Sequence, residues 1–333
     1  MKAPILRFYG GVNEVGGNKI LLEDKDTRIL LDFGMSFSLR NRYYSDPFLS
    51  PRGEDGLLEF GLLPKIRGVY KFEDSESEID GVFLSHSHVD HAAYISFLKR
   101  EIPVYCGEAT ATILRALGDI RIGGFEFDIS GIRFNTFRTG DRIRVGSLEI
   151  EPIHVDHSVP GSYGFIIHTS AGAVAYTGDF RRHGSRPDLT EDFIGRVADE
   201  KPLAVISEGT NAIAVEVSSE SEIMDKINMI VGRTSGMDLA NFACADLDRL
   251  RSFYEAAKGN DRYLVVTLKQ AYLLDKLSTD PHLRIPSLKD ESLLIFRKTK
   301  KRYYSWEKEA MKLGEIVDSS TISKIRPSYI VSP

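Results

Sequence analysis

Short apolar, strand-like runs bounded by turn residues recur along much of the first 180 residues, and that pattern predicts strands. The runs fall at 5–11, 18–22, 28–33, 79–84, 104–105, 132–137, 148–154, 163–168 and 173–176. Turn residues separate them, among them Glu23-Asp24-Lys25-Asp26, Gly140-Asp141, Gly146-Ser147, Gly161-Ser162 and Ala171-Gly172. Helical spacing enters only twice here, from about Asp90 with Ala92, Ile95 and Leu98 on one face, and over 108–117. Between 36 and 70 the pattern is irregular, aromatic-rich and broken by Pro47, Pro51 and Pro64. A loop of that length usually lines a site or covers a face. Many strands with few helices predict a layered β sandwich flanked by helices.

The rhythm changes after Lys201-Pro202. Strands are expected at 203–207, 238–243, 263–267 and 293–296, alternating with helices at 219–231, 246–258, 269–277 and 305–313. Strand–helix alternation at this spacing predicts a parallel sheet with crossover helices. The 333 residues therefore divide into two units, the second beginning near residue 204.

Composition narrows the function without deciding it. Hydrophobic content of 42% supports a sizeable core, and a net charge of −5 provides no global field for nucleic acid. Any polyanion must be met by a local patch or by metal. Cys106 and Cys244 are the two cysteines, which points to a reducing compartment without a disulfide scaffold. No run of about 18 apolar residues is present, so no membrane span is expected, and Met1-Lys2-Ala3-Pro4 does not open like a leader. Cytoplasmic residence is the expectation by default.

The chemistry lies in Ser85-His86-Ser87-His88-Val89-Asp90-His91, directly after the apolar Val82-Phe83-Leu84. Three of the chain's eight histidines and one carboxylate fall within six positions at a strand end. Neutral imidazoles and carboxylates suit zinc or a similar divalent ion, and the spacing suits two of them. Two ions need more donors than one loop holds. His157 and Asp179 follow later strands, and a carboxylate such as Asp179 can bridge two cations. Alone, each would be an ordinary strand-end polar residue. Together with the first loop they make one sheet edge rich in ligands.

His86-Ser87-His88-Val89-Asp90-His91 resembles the second motif of the metallo-β-lactamase superfamily. Asp32 resembles its first motif, His157 its third and Asp179 its fourth. Gly10-Gly11-Val12-Asn13-Glu14-Val15-Gly16-Gly17-Asn18, His157-Ser158-Val159-Pro160 and Thr177-Gly178-Asp179-Phe180-Arg181 are similar, more narrowly, to ribonuclease J and its archaeal relatives. Those proteins carry a β-CASP domain inserted in the lactamase fold, and Ser207-Glu208-Gly209-Thr210-Asn211 looks like the acidic motif that opens it. The fold so implied is α/β: an αββα sandwich over 1–203 and a β-CASP domain over 204–333, incomplete at its C-terminal end.

The resemblance implies that His86, His88 and His157 hold one zinc, that Asp90 and His91 hold another, and that Asp179 bridges. Asp32 would orient the loop from behind, and Glu208 would steady a ligand or cap its own turn. RNA would be hydrolysed by a metal-bound hydroxide, as a 5′-to-3′ exonuclease and also an endonuclease, with Asp90, His157 and Asp179 at the reacting centre. Manganese suits the same donors. Ser158, Thr210 and Asn211 are candidates for a phosphate contact. Arg297, Lys298, Lys300, Lys301 and Arg302, followed by Tyr303 and Tyr304, are candidates for RNA phosphates, although such a run is more often a solvated turn.

The chain departs from that family in one respect. Two further histidines follow the insert in β-CASP nucleases, whereas here only His183 and His282 come after Asp179, neither in such a motif. Tyr329-Ile330-Val331-Ser332-Pro333 reads as a buried strand cut short, so a piece of a longer protein is expected, with a further C-terminal segment as a partner. A homodimer is left open. The rival readings are a hydrolase of a small ester, thioester or lactone, and a non-catalytic RNA-binding remnant.

Overall fold

The computed structural model describes residues 3–45, 48–120, 125–212, 218–324 and 328–332; Pro47 and Pro333 lie outside them. The strands expected in the first half form two sheets. In the first, β1 (Ile5–Gly10), β2 (Lys19–Asp24) and β3 (Thr27–Leu31) run antiparallel. Then β4 (Gly81–Phe83), β5 (Val104–Gly107) and β6 (Phe134–Phe137) continue it in parallel. The second sheet is an antiparallel meander of β7 (Ile143–Val145), β8 (Leu148–His154), β9 (Tyr163–Thr169) and β10 (Gly172–Tyr176). Strand β11 (Ala204–Ile206) adds to β10 in parallel.

Alternation in sequence becomes two buried faces in space. On β2 and β3, Ile20, Leu22, Ile29 and Leu31 meet Leu148, Ile150, Phe165 and Ile167 of the opposing sheet. Their neighbours Leu21 and Leu30 face the other way, with Tyr94, Ile95 and Phe97. The outer face of the second sheet, with Ile153, Ile166 and Ala173, is covered by Phe193 of the helix Pro187–Glu200. The result is the expected αββα layering.

The third sheet has the order β12 (Asp238–Leu239), β16 (Tyr329–Val331), β13 (Tyr263–Thr267), β14 (Leu293–Phe296), β15 (Ile316–Val317), and every pairing is parallel. One of its faces shares a core with the first half. Ala109, Ile113 and Ala116 of the helix Glu108–Ile120 pack with Tyr272, Leu273 and Leu293. Full burial of a side chain such as Ile113 stabilises by about 2 kcal/mol, so this apolar seam, more than exposed ion pairs, joins the two halves.

Several elements differ from expectation. The helix expected from Asp90 is one α turn, Val89–Ala92, followed by a 3-10 turn, Ala93–Phe97, buried on every side and not on one face. Short helices Phe37–Tyr43 and Glu54–Glu59 occupy the stretch expected to be irregular. The helix Pro187–Glu200 was not expected, although Leu189, Phe193 and Val197 recur at four-residue intervals within it. The strand at 238–243 shortens to Asp238–Leu239, and the helix at 305–313 ends at Ala310. The strand expected to open the second unit, β11, pairs instead with the first half's second sheet.

Candidate metal centre

Four loops leave the ends of β3, β4, β8 and β10, and they bring the chemistry together. Asp32 follows β3, Ser85 to His91 follow β4, His157 follows β8 and Asp179 follows β10. Two donor sets result: His86, His88, His157 and Asp179, and Asp90, His91 and Asp179, with the donor atoms of each within 4.8 Å of one another. In the first set His88 Nδ1 lies 2.9 Å from His86 Nε2 and 3.1 Å from His157 Nε2. Asp179 Oδ2 is 3.9 Å from the Nε2 of both His86 and His157. In the second, His91 Nε2 is 3.2 Å from Asp179 Oδ1 and 3.8 Å from Asp90 Oδ2. The two oxygens of Asp179 thus serve different sets. All six residues expected as ligands are here.

Asp32 sits fully buried behind them with φ of 57°. Its carboxylate accepts from the Ser85 N–H at 2.7 Å, the Ser85 hydroxyl at 2.8 Å and the Tyr176 hydroxyl at 2.5 Å. It also lies 2.8 Å from His91 Nδ1. A carboxylate only accepts, so Nδ1 carries the proton and Nε2 faces the donor set. Ser85 Oγ, its hydrogen committed to Asp32, accepts from His86 Nδ1 at 2.9 Å. His86 Nε2 is thereby left with its lone pair toward His88.

The electrostatics divide the imidazoles. Burial, reinforced by the neighbouring rings, holds His86 well below the ordinary histidine value. Burial also pushes His88 down against the pull of Asp90, and lowers His157 to about 3 with help from His88. These three are neutral near pH 7, as metal ligands must be. His91 is the opposite case. Burial alone would lower it, but the carboxylates of Asp32 and Asp179 on its two sides hold it well above the ordinary value. For Asp179, burial pulls upward and is outweighed by the hydrogen bond and charge of His91, which hold the carboxyl low. A divalent cation satisfies three convergent lone pairs and the carboxylates better than protons do, so the donors fit such a group.

Other expected residues are placed less centrally. Ser158 follows His157 in the turn after β8. The Glu208 carboxylate accepts from the Thr210 N–H at 3.0 Å, capping its own turn, and its N–H donates to Thr177 Oγ1 at 3.3 Å. Thr210 and Asn211 are exposed in that loop. Arg297 pairs with Asp318, and Lys300 pairs with Glu307 beneath the rings of Tyr303 and Tyr304. Lys298, Lys301 and Arg302 are exposed. These ion pairs stay within the second half.

Two groups were not expected. Tyr176 is one; its position three residues before Asp179, on the inward side of β10, is the only trace in the sequence. The other is the ionic knot of Arg181, two residues past Asp179, with Asp156, beside His157, and Asp248 of the second half. Ser185 donates to the same Asp248 at 2.7 Å.

The fold and the donor sets define the class: a β-lactamase superfamily domain model matches residues 41–197, and the chain is similar to the metallo-β-lactamase superfamily over that stretch. Within that class it is ribonuclease J-like in sequence. Ribonuclease J 2 of Streptococcus pyogenes serotype M3 is 26% identical over 324 residues, 93% of this chain and 54% of that protein. Ribonuclease J of Mycobacterium tuberculosis is 28% identical over 255 residues, 74% of this chain and 41% of that one. The chain thus spans about half the length of these relatives, or less. The crystal structure of a protein of unknown function from Enterococcus faecalis V583 shares the fold, with a TM-score of 0.76 at 21% identity. That match covers 98% of this chain and 76% of the other.

Proposed function

We propose that the chain is the metal-dependent catalytic part of a ribonuclease that hydrolyses RNA phosphodiester bonds. The observation that carries the metal reading is Asp179, whose two oxygens face separate donor sets. The likeness to proteins named ribonuclease J supplies the substrate class. Zinc is the ion we assign, because the first set is rich in imidazole; manganese suits the same donors. When bound, a pair of such ions supplies charge to neutralise phosphate oxygens and lowers the pKa of water toward about 7.

The chain's own residues do the positioning. Asp32 fixes the tautomer of His91, Ser85 that of His86, and Asp179 spans the two sets. Ser158, Thr210 and Asn211 stand at loops where a phosphate would be held. The basic run from Arg297 to Arg302 would hold the RNA strand beyond it. We place the change of unit after β11, since Ala204–Ile206 is sheet-paired with the first half. Action from the 5′ end, with endonuclease cleavage, is the mode proposed.

Incubating zinc-loaded protein with labelled single-stranded RNA and, separately, with a simple lactone and a thioester decides the substrate class. Chelator-sensitive cleavage of RNA alone is expected. Turnover of the small esters without RNA cleavage would replace this reading with a small-molecule hydrolase.

A further inference from the structure

The glycine-rich segment before β2 is built to lie against the metal loop. Gly16 and Gly17 have φ of 84° and 76°. A Cβ on Gly16 would stand 2.8 Å from the Cβ of Asp90, and one on Gly17 would stand 2.9 Å from that of Ser36. Only bare backbone fits so close. The next residue, Asn18, is then pinned from two directions. Its N–H donates to the Asp90 carbonyl at 3.1 Å, and its carbonyl accepts from the Gly34 N–H at 3.0 Å.

The Asn18 side chain reaches the second donor set. Its Nδ2 stands 3.0 Å from His91 Nε2, the nitrogen on which Asp179 Oδ1 and Asp90 Oδ2 converge at 3.2 and 3.8 Å. Two donors each about 2.1 Å from one ion sit about 3.0 to 3.4 Å apart, so the amide is at ligand spacing from His91. An amide's oxygen and NH2 have nearly the same shape and exchange by a half-turn of the terminal torsion, which here gives up the 3.4 Å hydrogen bond from Nδ2 to the Asp90 carbonyl. The NH2 cannot bind a cation; the oxygen can, as amide carbonyls commonly do. The other end of the amide lies over Gly11, which has φ of 81° and no side chain to obstruct it.

We propose that Asn18 is a ligand of the second ion through Oδ1, so that this set comprises Asn18, Asp90, His91 and Asp179. The proposal rests on the two-ion reading of the site. It also explains the close packing of the Gly10–Asn18 segment, which delivers one oxygen to a set that, among the described residues, otherwise holds one donor fewer than its neighbour.

The test is titration of the full metal-free chain with zinc, followed calorimetrically, for wild type, Asn18→Ala and Asn18→Asp. Cobalt absorption spectra report the coordination directly. Wild type should bind two ions. Asn18→Ala should keep the first unchanged and weaken the second about tenfold or more, with an altered cobalt spectrum. Asn18→Asp keeps an oxygen and has no NH2, so it should hold the second ion at least as tightly as wild type. Two findings would overturn the proposal: Asn18→Ala binding both ions like wild type, or Asn18→Asp losing the second ion. The latter would make the NH2, as a hydrogen-bond donor to His91, the working atom. If wild type binds fewer than two ions at saturation, the two-ion reading itself falls. If Asn18→Ala does not fold by circular dichroism, Asn18→Asp decides alone.

Discussion

At the scale of single residues, the site depends on one carboxylate outside the donor sets, Asp32. Asp32 holds three donors and His91 from a fully buried position. Asp32→Asn would give up an acceptor and break the tautomer of His91, weakening metal binding by about 10- to 100-fold. Competition against a calibrated chelator measures this, and an unchanged affinity would show that the loop orients itself. The split among the imidazoles sets the pH response. The lowered values of His86, His88 and His157 mean that no proton need leave when the first ion binds near neutrality. The raised value of His91 means that the second ion must displace a proton. Affinity for the first ion should therefore be nearly flat from about pH 6 to 8, whereas affinity for the second rises with pH. Calorimetry in buffers of different ionisation enthalpy counts the protons released. The metal-free protein should also lose stability as pH falls from 6.5 toward about 3, because the unfolded His157 takes up a proton that the folded ring refuses. The six residues that converge here were legible because metal chemistry restricts residue type at short spacing. Ser85, Tyr176 and Asn18 were not, since Ser, Tyr and Asn serve many roles and only proximity selects one.

At the scale of elements, the strand ends carry the site and the connections between them were harder to read. Alternation placed β8, and continuous apolar runs placed β9, β10, β13 and β14, because both faces of those strands are largely buried. The turn Ala93–Phe97 escaped, since a segment buried on all sides has no polar face to reveal a period. The close approach at Gly16 gives a direct check. Gly16→Ala puts a methyl group against Asp90 at a positive φ, so about 1 to 3 kcal/mol of stability should be lost. The second ion should weaken more than the first. Urea unfolding with a parallel zinc titration reads both, and equal weakening of the two ions would contradict the placement of this segment.

At the scale of the molecule, the two halves meet in an apolar seam and in polar contacts, among them an ionic knot beside the loops of His157 and Asp179. Arg181 joins Asp156 to Asp248 with little exposure at any of the three. Asp248→Ala would leave that guanidinium with Asp156 as its one remaining carboxylate, at a cost of about 3 kcal/mol in urea unfolding. A cost within experimental error would show that the knot contributes little to joining the halves. Nothing in residue order announced this knot, because its members lie 67 residues apart in the case of Arg181 and Asp248. The parallel third sheet was legible from its strand–helix rhythm. Its shared core with the helix Glu108–Ile120 was not, since the apolar face of that helix suits any neighbour. The central claim is that one carboxylate, Asp179, joins two ion sites, and counting bound metal tests it most directly. Equilibrium dialysis against zinc should give two ions per chain for the wild type, and Asp179→Ala should weaken both together. One ion or none at saturation, or an Asp179→Ala variant that keeps either ion at full affinity, would contradict it.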